Sequence, residues 1–141
     1  MSILDRYQAY ADAFEESFED DDWSHVEPYF TEDAVYEGDP EDARGRDAVL
    51  AKLKAGVDNF DRNMDSRTPD FDSPTVDGDT LRMTWSVKYT KAGAPDLVIS
   101  GVETATFEGD RIARLRDDFD PDATKAMGEW MAAHAALLQG D

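Results

Sequence analysis

Apolar residues recur along this chain first at helical spacing, then at strand spacing, then at helical spacing again. Leu4, Tyr7, Ala11, Phe14 and Phe18 step by three and four, which is one face of an amphipathic helix. Asp20, Asp21 and Asp22 close it in an acidic turn. Trp23, Val26, Tyr29 and Phe30 continue the spacing over a short second helix, bent or cut to one turn by Pro28. Ala34 to Glu37 reads as a short strand and Gly38 to Arg44 as a loop. Val49, Leu50, Leu53, Val57 and Phe60 form the buried stripe of a third helix opened by Gly45 and Arg46, with Asp47 in its positive first turn.

After Asn63 the period drops to two. Met64 to Val76 is an irregular strand, interrupted by Pro69 and Pro74 and so placed at an edge or a bend. Asp77-Gly78-Asp79 signals a hairpin. Leu81, Met83, Trp85, Val87 and Tyr89 then alternate with polar residues, the cleanest strand in the chain. Leu97 to Phe107 and Ile112 to Phe119 give two more strands around Gly109-Asp110. Pro121 starts a last helix with Met127, Trp130, Met131, His134, Leu137 and Leu138 on its apolar side. Helices first, an antiparallel meander next and one closing helix last argue for an α+β fold.

Composition narrows the function. At 141 residues there is room for one domain, residues 1–141, around one core. No run of about 18 apolar residues exists to cross a membrane. Asp5 comes too early for the apolar stretch of a signal peptide, so a cytoplasmic location is expected. With no cysteine there are no disulfides, thiol nucleophiles or thiolate metal sites. His25 and His134 lie far apart and form no metal motif. The run Asp117, Asp118, Asp120, Asp122 lacks the glycine and glutamate of an EF-hand loop. No metal and no cofactor are expected.

Charge is the most unusual feature. Asp and Glu number 33 against 14 Lys and Arg, a formal net charge of −19. Such a surface repels phosphate backbones and anionic lipid, so neither nucleic acid nor a membrane is an expected partner. Asp dominates Glu, and Lys is scarce. That bias resembles proteins of salt-accumulating archaea, whose self-repulsion is screened at molar salt, where the Debye length is about 3 Å. The thermal midpoint is therefore expected to rise steeply with KCl. A flat midpoint from dilute buffer to molar KCl, followed by circular dichroism, overturns the halophilic reading.

Three segments carry a family likeness. Tyr29-Phe30-Thr31-Glu32-Asp33-Ala34-Val35-Tyr36, Gly45-Arg46-Asp47-Ala48-Val49 and Gly109 to Asp120 stand in an order and spacing that resemble the nuclear transport factor 2-like superfamily, within it the SnoaL-like and ketosteroid-isomerase-like proteins. The likeness spans about residues 4 to 120. It implies a cone: a strongly curved sheet wrapped around the N-terminal helices, enclosing a pocket, with many members pairing as homodimers through the outer sheet face. Here that face would hold Thr84, Ser86, Val98, Val102, Thr104 and Thr106, which suits either an interface or a half-solvated sheet.

A curved sheet of this kind cannot fill its own concavity, and Tyr and Trp carry polar tips that seek partners when buried. The expected pocket-lining residues are Tyr10, Phe14, Trp23 and Tyr36, together with Phe60, Trp85, Tyr89 and Leu115. The expected ligand is a hydrophobic small molecule.

Two acids are the candidate catalytic residues. Glu103 interrupts the row Leu97, Ile99, Gly101, Ala105, Phe107 and faces inward if that row does; in the other register it is solvated. By resemblance it falls where ketosteroid isomerases hold a protonated carboxylic acid. Asp117 shares a strand face with Ala113, Leu115 and Phe119 and is its only charge. A three-residue hairpin loop sets Glu103 opposite Asp117, where the two would share a proton. A two-residue loop at Gly109-Asp110 sets it opposite Arg116. The remaining isomerase machinery does not carry over. The family's oxyanion tyrosine lands on Phe14 and its general base on Gly38, with Asp39 one residue off. The limonene-epoxide-hydrolase pattern lacks its Arg-x-Asp between Met83 and Lys88. Two function classes remain, an acid–base enzyme of the isomerase, cyclase or hydratase kind and a non-catalytic binding protein; a structural dimer module ranks behind them.

Overall fold

Capping and register turn these patterns into a fold. A computed structural model of the chain describes residues 2–38, 41–134 and 136–137. Asp39 and Leu138 lie outside the described residues. Helix α1 (Ile3–Asp20) begins at a capping box: the Ser2 hydroxyl accepts from the Asp5 amide at 3.1 Å and the Asp5 carboxylate accepts from the Ser2 amide at 3.4 Å. It ends at Asp21, whose left-handed backbone lets its amide reach the Ser17 carbonyl at 2.8 Å. The expected short second helix is two 3-10 turns, Trp23–His25 and Glu27–Tyr29, with Pro28 in the second. Strand β1 (Phe30–Glu37) therefore starts earlier than the pattern predicts, and the expected loop contains a two-residue strand β2 (Ala43–Arg44). Helix α2 (Arg46–Asn59) follows.

The meander comprises β3 (Ser66–Phe71), β4 (Thr75–Asp77), β5 (Thr80–Thr90), β6 (Leu97–Glu108) and β7 (Arg111–Phe119), before helix α3 (Pro121–His134). The sheet runs β2-β1-β7-β6-β5-β3, with β4 also pairing β5. The β1–β7 pair is parallel and the others are antiparallel, so this is a mixed, curved, unclosed sheet. The segment with Pro69 and Pro74 does lie at an edge, where a missing ladder donor is tolerated.

Two cores flank the concave side. One joins α1, α2 and the sheet through Phe30, Leu81, Ile112, Leu115, Val26 and Val49, all fully buried. The other gathers Phe60, Val87, Tyr89, Ile99 and Trp130 beneath α3, with the Trp130 indole nitrogen donating to the Pro95 carbonyl at 2.9 Å. Trp85 packs against both. On α1 the buried row is Tyr7, Tyr10, Ala13 and Ser17, rotated from the expected one. Leu4, Ala11 and Phe14 stay partly open because they face a cavity. No helix among the described residues is long and apolar enough to cross a membrane.

Candidate functional site

The register of the β6–β7 hairpin decides what faces what. Its loop is the two-residue one: Glu108 pairs with Arg111, and Gly109 takes a φ of 67°, which costs a glycine little. That loop alone would set Glu103 opposite Arg116. A bulge at Ala113 restores the other pairing, because Phe107 pairs Ile112 while Thr106 pairs Arg114. One extra residue on β7 flips the following side chains to the other face. Ile112, not Ala113, thus joins Leu115 in the core, and Glu103 stands directly opposite Asp117.

The two carboxyl groups lie within hydrogen-bonding reach of each other. Each also holds a tyrosine hydroxyl. Tyr7 on α1 donates to Glu103 Oε2, and Tyr36 on β1 donates to Asp117 Oδ2 at 2.6 Å. Burial, then the charge of Asp117, pushes the Glu103 carboxyl well above the ordinary range. Burial also raises Asp117, against the pull of its bonds from Tyr36 and Glu103. Two carboxylates this close, with burial already disfavouring charge on each, resist double ionisation, so one proton is shared. Glu103 carries it more readily, since the Asp117 charge raises the Glu103 carboxyl while the bond from Tyr36 holds Asp117 down.

Both acids open onto a cavity of about 770 Å³ bounded by α1, α2 and the concave sheet. Tyr10, Phe14, Tyr36, Phe60, Trp85 and Tyr89 line it, as does Tyr7. Two expected lining residues do not. Trp23 packs edge-on against Phe14 and donates to Asp21 at 2.9 Å, which turns it into the core behind α1. Leu115 is 0% exposed, sealed beneath the first core. Phe119 is half-exposed at the cavity wall and meets Trp85 edge-on, ring centres 5.6 Å apart. Burial holds the Tyr10 and Tyr36 hydroxyls protonated, far above the usual phenol range. No hydrogen bond engages the Tyr10 hydroxyl among the described residues.

Sequence reasoning missed Tyr7 as the partner of Glu103, along with Asp61 and Arg67 on the cavity wall. Tyr7 could have been found from its place one turn before the Tyr10–Phe14 pair on a helix facing the sheet. Asp61 and Arg67 carry no local signal, since a charged residue after a helix or in an edge strand is ordinarily solvated. The two histidines make local contacts: His25 bonds Asp20 at 2.8 Å, and the His134 ring meets Trp130 at a tilt, ring centres 5.5 Å apart.

Residues 8–115 match the family model of the SnoaL-like domain. Solved structures share the architecture. An NTF2-like protein of unknown function from Exiguobacterium sp. 255-15 is 18% identical, with 85% of this chain and 99% of that one covered and a TM-score of 0.64. TerC, co-crystallised with polyporic acid, is 16% identical over 90% of this chain and 98% of its own, TM-score 0.66. A protein from Shewanella denitrificans OS-217 named for a SnoaL-like polyketide cyclase is 15% identical over 89% and 96%, TM-score 0.64. At these identities the likeness shows the nuclear transport factor 2-like fold alone. No curated protein matches this chain.

Proposed function

This chain belongs to the SnoaL-like domain family, and from that premise we propose that it binds a hydrophobic small molecule and acts on it by proton transfer. The observation that carries the proposal is the carboxyl pair at the cavity wall, Glu103 opposite Asp117, each held by a tyrosine. The Asp117 anion is the base and removes a proton from carbon beside a ligand carbonyl. Glu103 gives its proton to the carbonyl oxygen, so an enol forms. On a β,γ-unsaturated ketone the enol is a dienol, so the proton on Asp117 returns to its far carbon, the double bond moves into conjugation, and the enol hydroxyl gives its proton back to Glu103. Isomerisation uses both transfers, and an aldol-type cyclisation uses the first, with the ring-closing carbon–carbon bond in place of the second.

One observation favours the second reading, a non-catalytic binding protein for such a molecule: both carboxyls already hold tyrosine hydroxyls, which is also how a structural pair is satisfied. Deuterium exchange separates the two. Hydrophobic ketones that raise the thermal midpoint are incubated with the protein in D2O, and mass spectrometry follows incorporation at carbon next to the carbonyl. Catalysed exchange supports the enzyme. Binding without exchange across the panel leaves the binding protein.

The outer sheet face is proposed as a homodimer interface. Val98 is 53% exposed there opposite the exposed Lys88, and further along the β5–β6 ladder Thr84 is exposed opposite the half-buried Val102. Sedimentation in molar KCl, where the −19 charge is screened, is expected to give a dimer that Val98→Lys dissociates. A wild-type monomer at micromolar concentration refutes it. A cytoplasmic, salt-adapted setting belongs to the same reading.

A further inference from the structure

The cavity has a second polar end. Arg67 on β3 donates from Nε to Asp61 Oδ2 at 3.0 Å and from Nη1 to Glu15 Oε1 at 2.9 Å. The Tyr89 hydroxyl donates to the same Asp61 oxygen at 3.3 Å. All four side chains line the cavity. Both bonds to Asp61 fall on Oδ2, so Oδ1 has no donor among the described residues, and Arg67 Nη2 bonds neither carboxylate. Neither atom is fully buried, and both residues line the cavity.

This end lies far from the carboxyl pair. Tyr7 and Glu15, which touch the two ends, stand on α1 eight residues apart, about 12 Å along the helix axis. Apolar wall separates them: Leu53, Val57 and Phe60 from the α2 side, Met83, Trp85 and Val87 from β5. The ionisable groups lining the cavity are five acids, Glu15, Asp61, Asp72 and the Glu103–Asp117 pair with its one shared proton, against Lys52 and Arg67. Lys52 already donates to the Gly38 and Glu41 carbonyls at 3.3 and 2.9 Å, and Arg67 is held by two carboxylates. An anionic ligand would enter against that balance.

We infer that Asp61 and Arg67 form a second subsite that takes a hydroxyl group of an uncharged, elongated, largely apolar ligand whose other polar end meets Glu103 and Asp117. A hydroxyl both donates and accepts, so it satisfies Asp61 Oδ1 and Arg67 Nη2 together. An apolar stem of two or more rings covers the wall between the ends. The inference rests on the proposed ligand pocket and names the class of molecule it takes.

The test is calorimetry in molar KCl with biphenyl, 4-hydroxybiphenyl, 4,4′-dihydroxybiphenyl and biphenyl-4-carboxylate. The dihydroxy compound is expected to bind about tenfold more tightly than the monohydroxy one, since its second hydroxyl bonds a charged carboxylate. The carboxylate is expected to bind most weakly of the substituted probes. Asp61→Asn and Asp61→Ala, checked for fold by circular dichroism, are expected to shrink the dihydroxy advantage to within about twofold. Equal affinity of the two hydroxyl probes for the wild type, tightest binding of the carboxylate, or an advantage that persists in Asp61→Asn overturns the subsite; so does failure of every probe to bind. Loss of the acid–base reading registers elsewhere, as absent deuterium exchange, and leaves the biphenyl comparison intact. Should Asp61→Ala not fold, Asp61→Asn alone decides, because it keeps the side-chain shape.

Discussion

Asp117→Asn is expected to slow deuterium exchange on any ketone this pocket activates by about 10²–10⁴-fold, the usual contribution of a positioned acid or base. The amide keeps the side chain's shape and can still accept from Tyr36, but it takes up no proton. Glu103→Gln is expected to slow exchange as well, since the carbonyl oxygen loses its acid. The two variants should not be additive, because one shared proton serves both groups. Full exchange in Asp117→Asn removes the residue from the chemistry.

The same pair makes a stability prediction of opposite sign. Glu103 and Asp117 are raised in the folded state, chiefly by burial. Between the ordinary carboxylate range near pH 4 and the raised value, the folded chain binds more protons than the unfolded chain. Stability therefore falls as pH rises through that window. Glu103→Gln removes the Glu103 share of this dependence. It is expected to be more stable than wild type at pH 8, and the difference should shrink toward pH 4. Urea midpoints at the two pH values measure it. A wild type that gains on the variant as pH rises contradicts the assigned direction.

Gly101→Ala is expected to destabilise the fold by about 3 kcal/mol, the upper end for overpacking, because what it meets is backbone. A Cβ built on Gly101 would lie 2.4 Å from the Asp118 carbonyl oxygen, 3.1 Å from Phe119 Cα and 3.1 Å from Trp85 Cζ2. Gly101 pairs with both Trp85 and Phe119, so the clash falls where β5, β6 and β7 approach beside the cavity. The thermal midpoint is expected to drop by about 10 °C. Tryptophan emission should change with it, since Trp85 must shift. A midpoint within about 2 °C of wild type would mean that the strands part without cost and that the close packing over Gly101 does not hold the wall.

The elements of this fold were legible because each rests on local spacing. The stripe Val49, Leu53, Val57, Phe60 and the alternation Leu81, Met83, Val87, Tyr89 repeat every three to four or every two residues, and the structure buries both rows. The inward acids were legible too, since Glu103 and Asp117 each break an apolar row. The buried face of α1 was misread because a cavity, unlike a core, leaves its own apolar residues partly open: Phe14 lines the space and Ser17 is buried.

By itself, then, the amino-acid order determined an acidic α+β chain of family-like layout with two acids in apolar rows. Only the tertiary structure decided that these acids meet. Their pairing depends on one bulged residue, Ala113, whose effect reaches Asp117 through the β6–β7 ladder. A two-residue loop read alone gives the opposite partner, because strand register carries a period of two and any single insertion inverts it. Tyr7, Asp61 and Arg67 reach the cavity from elements distant in sequence. Contacts of that kind leave no spacing to read, since they are set by how the sheet curves over α1 and not by the order of neighbouring residues.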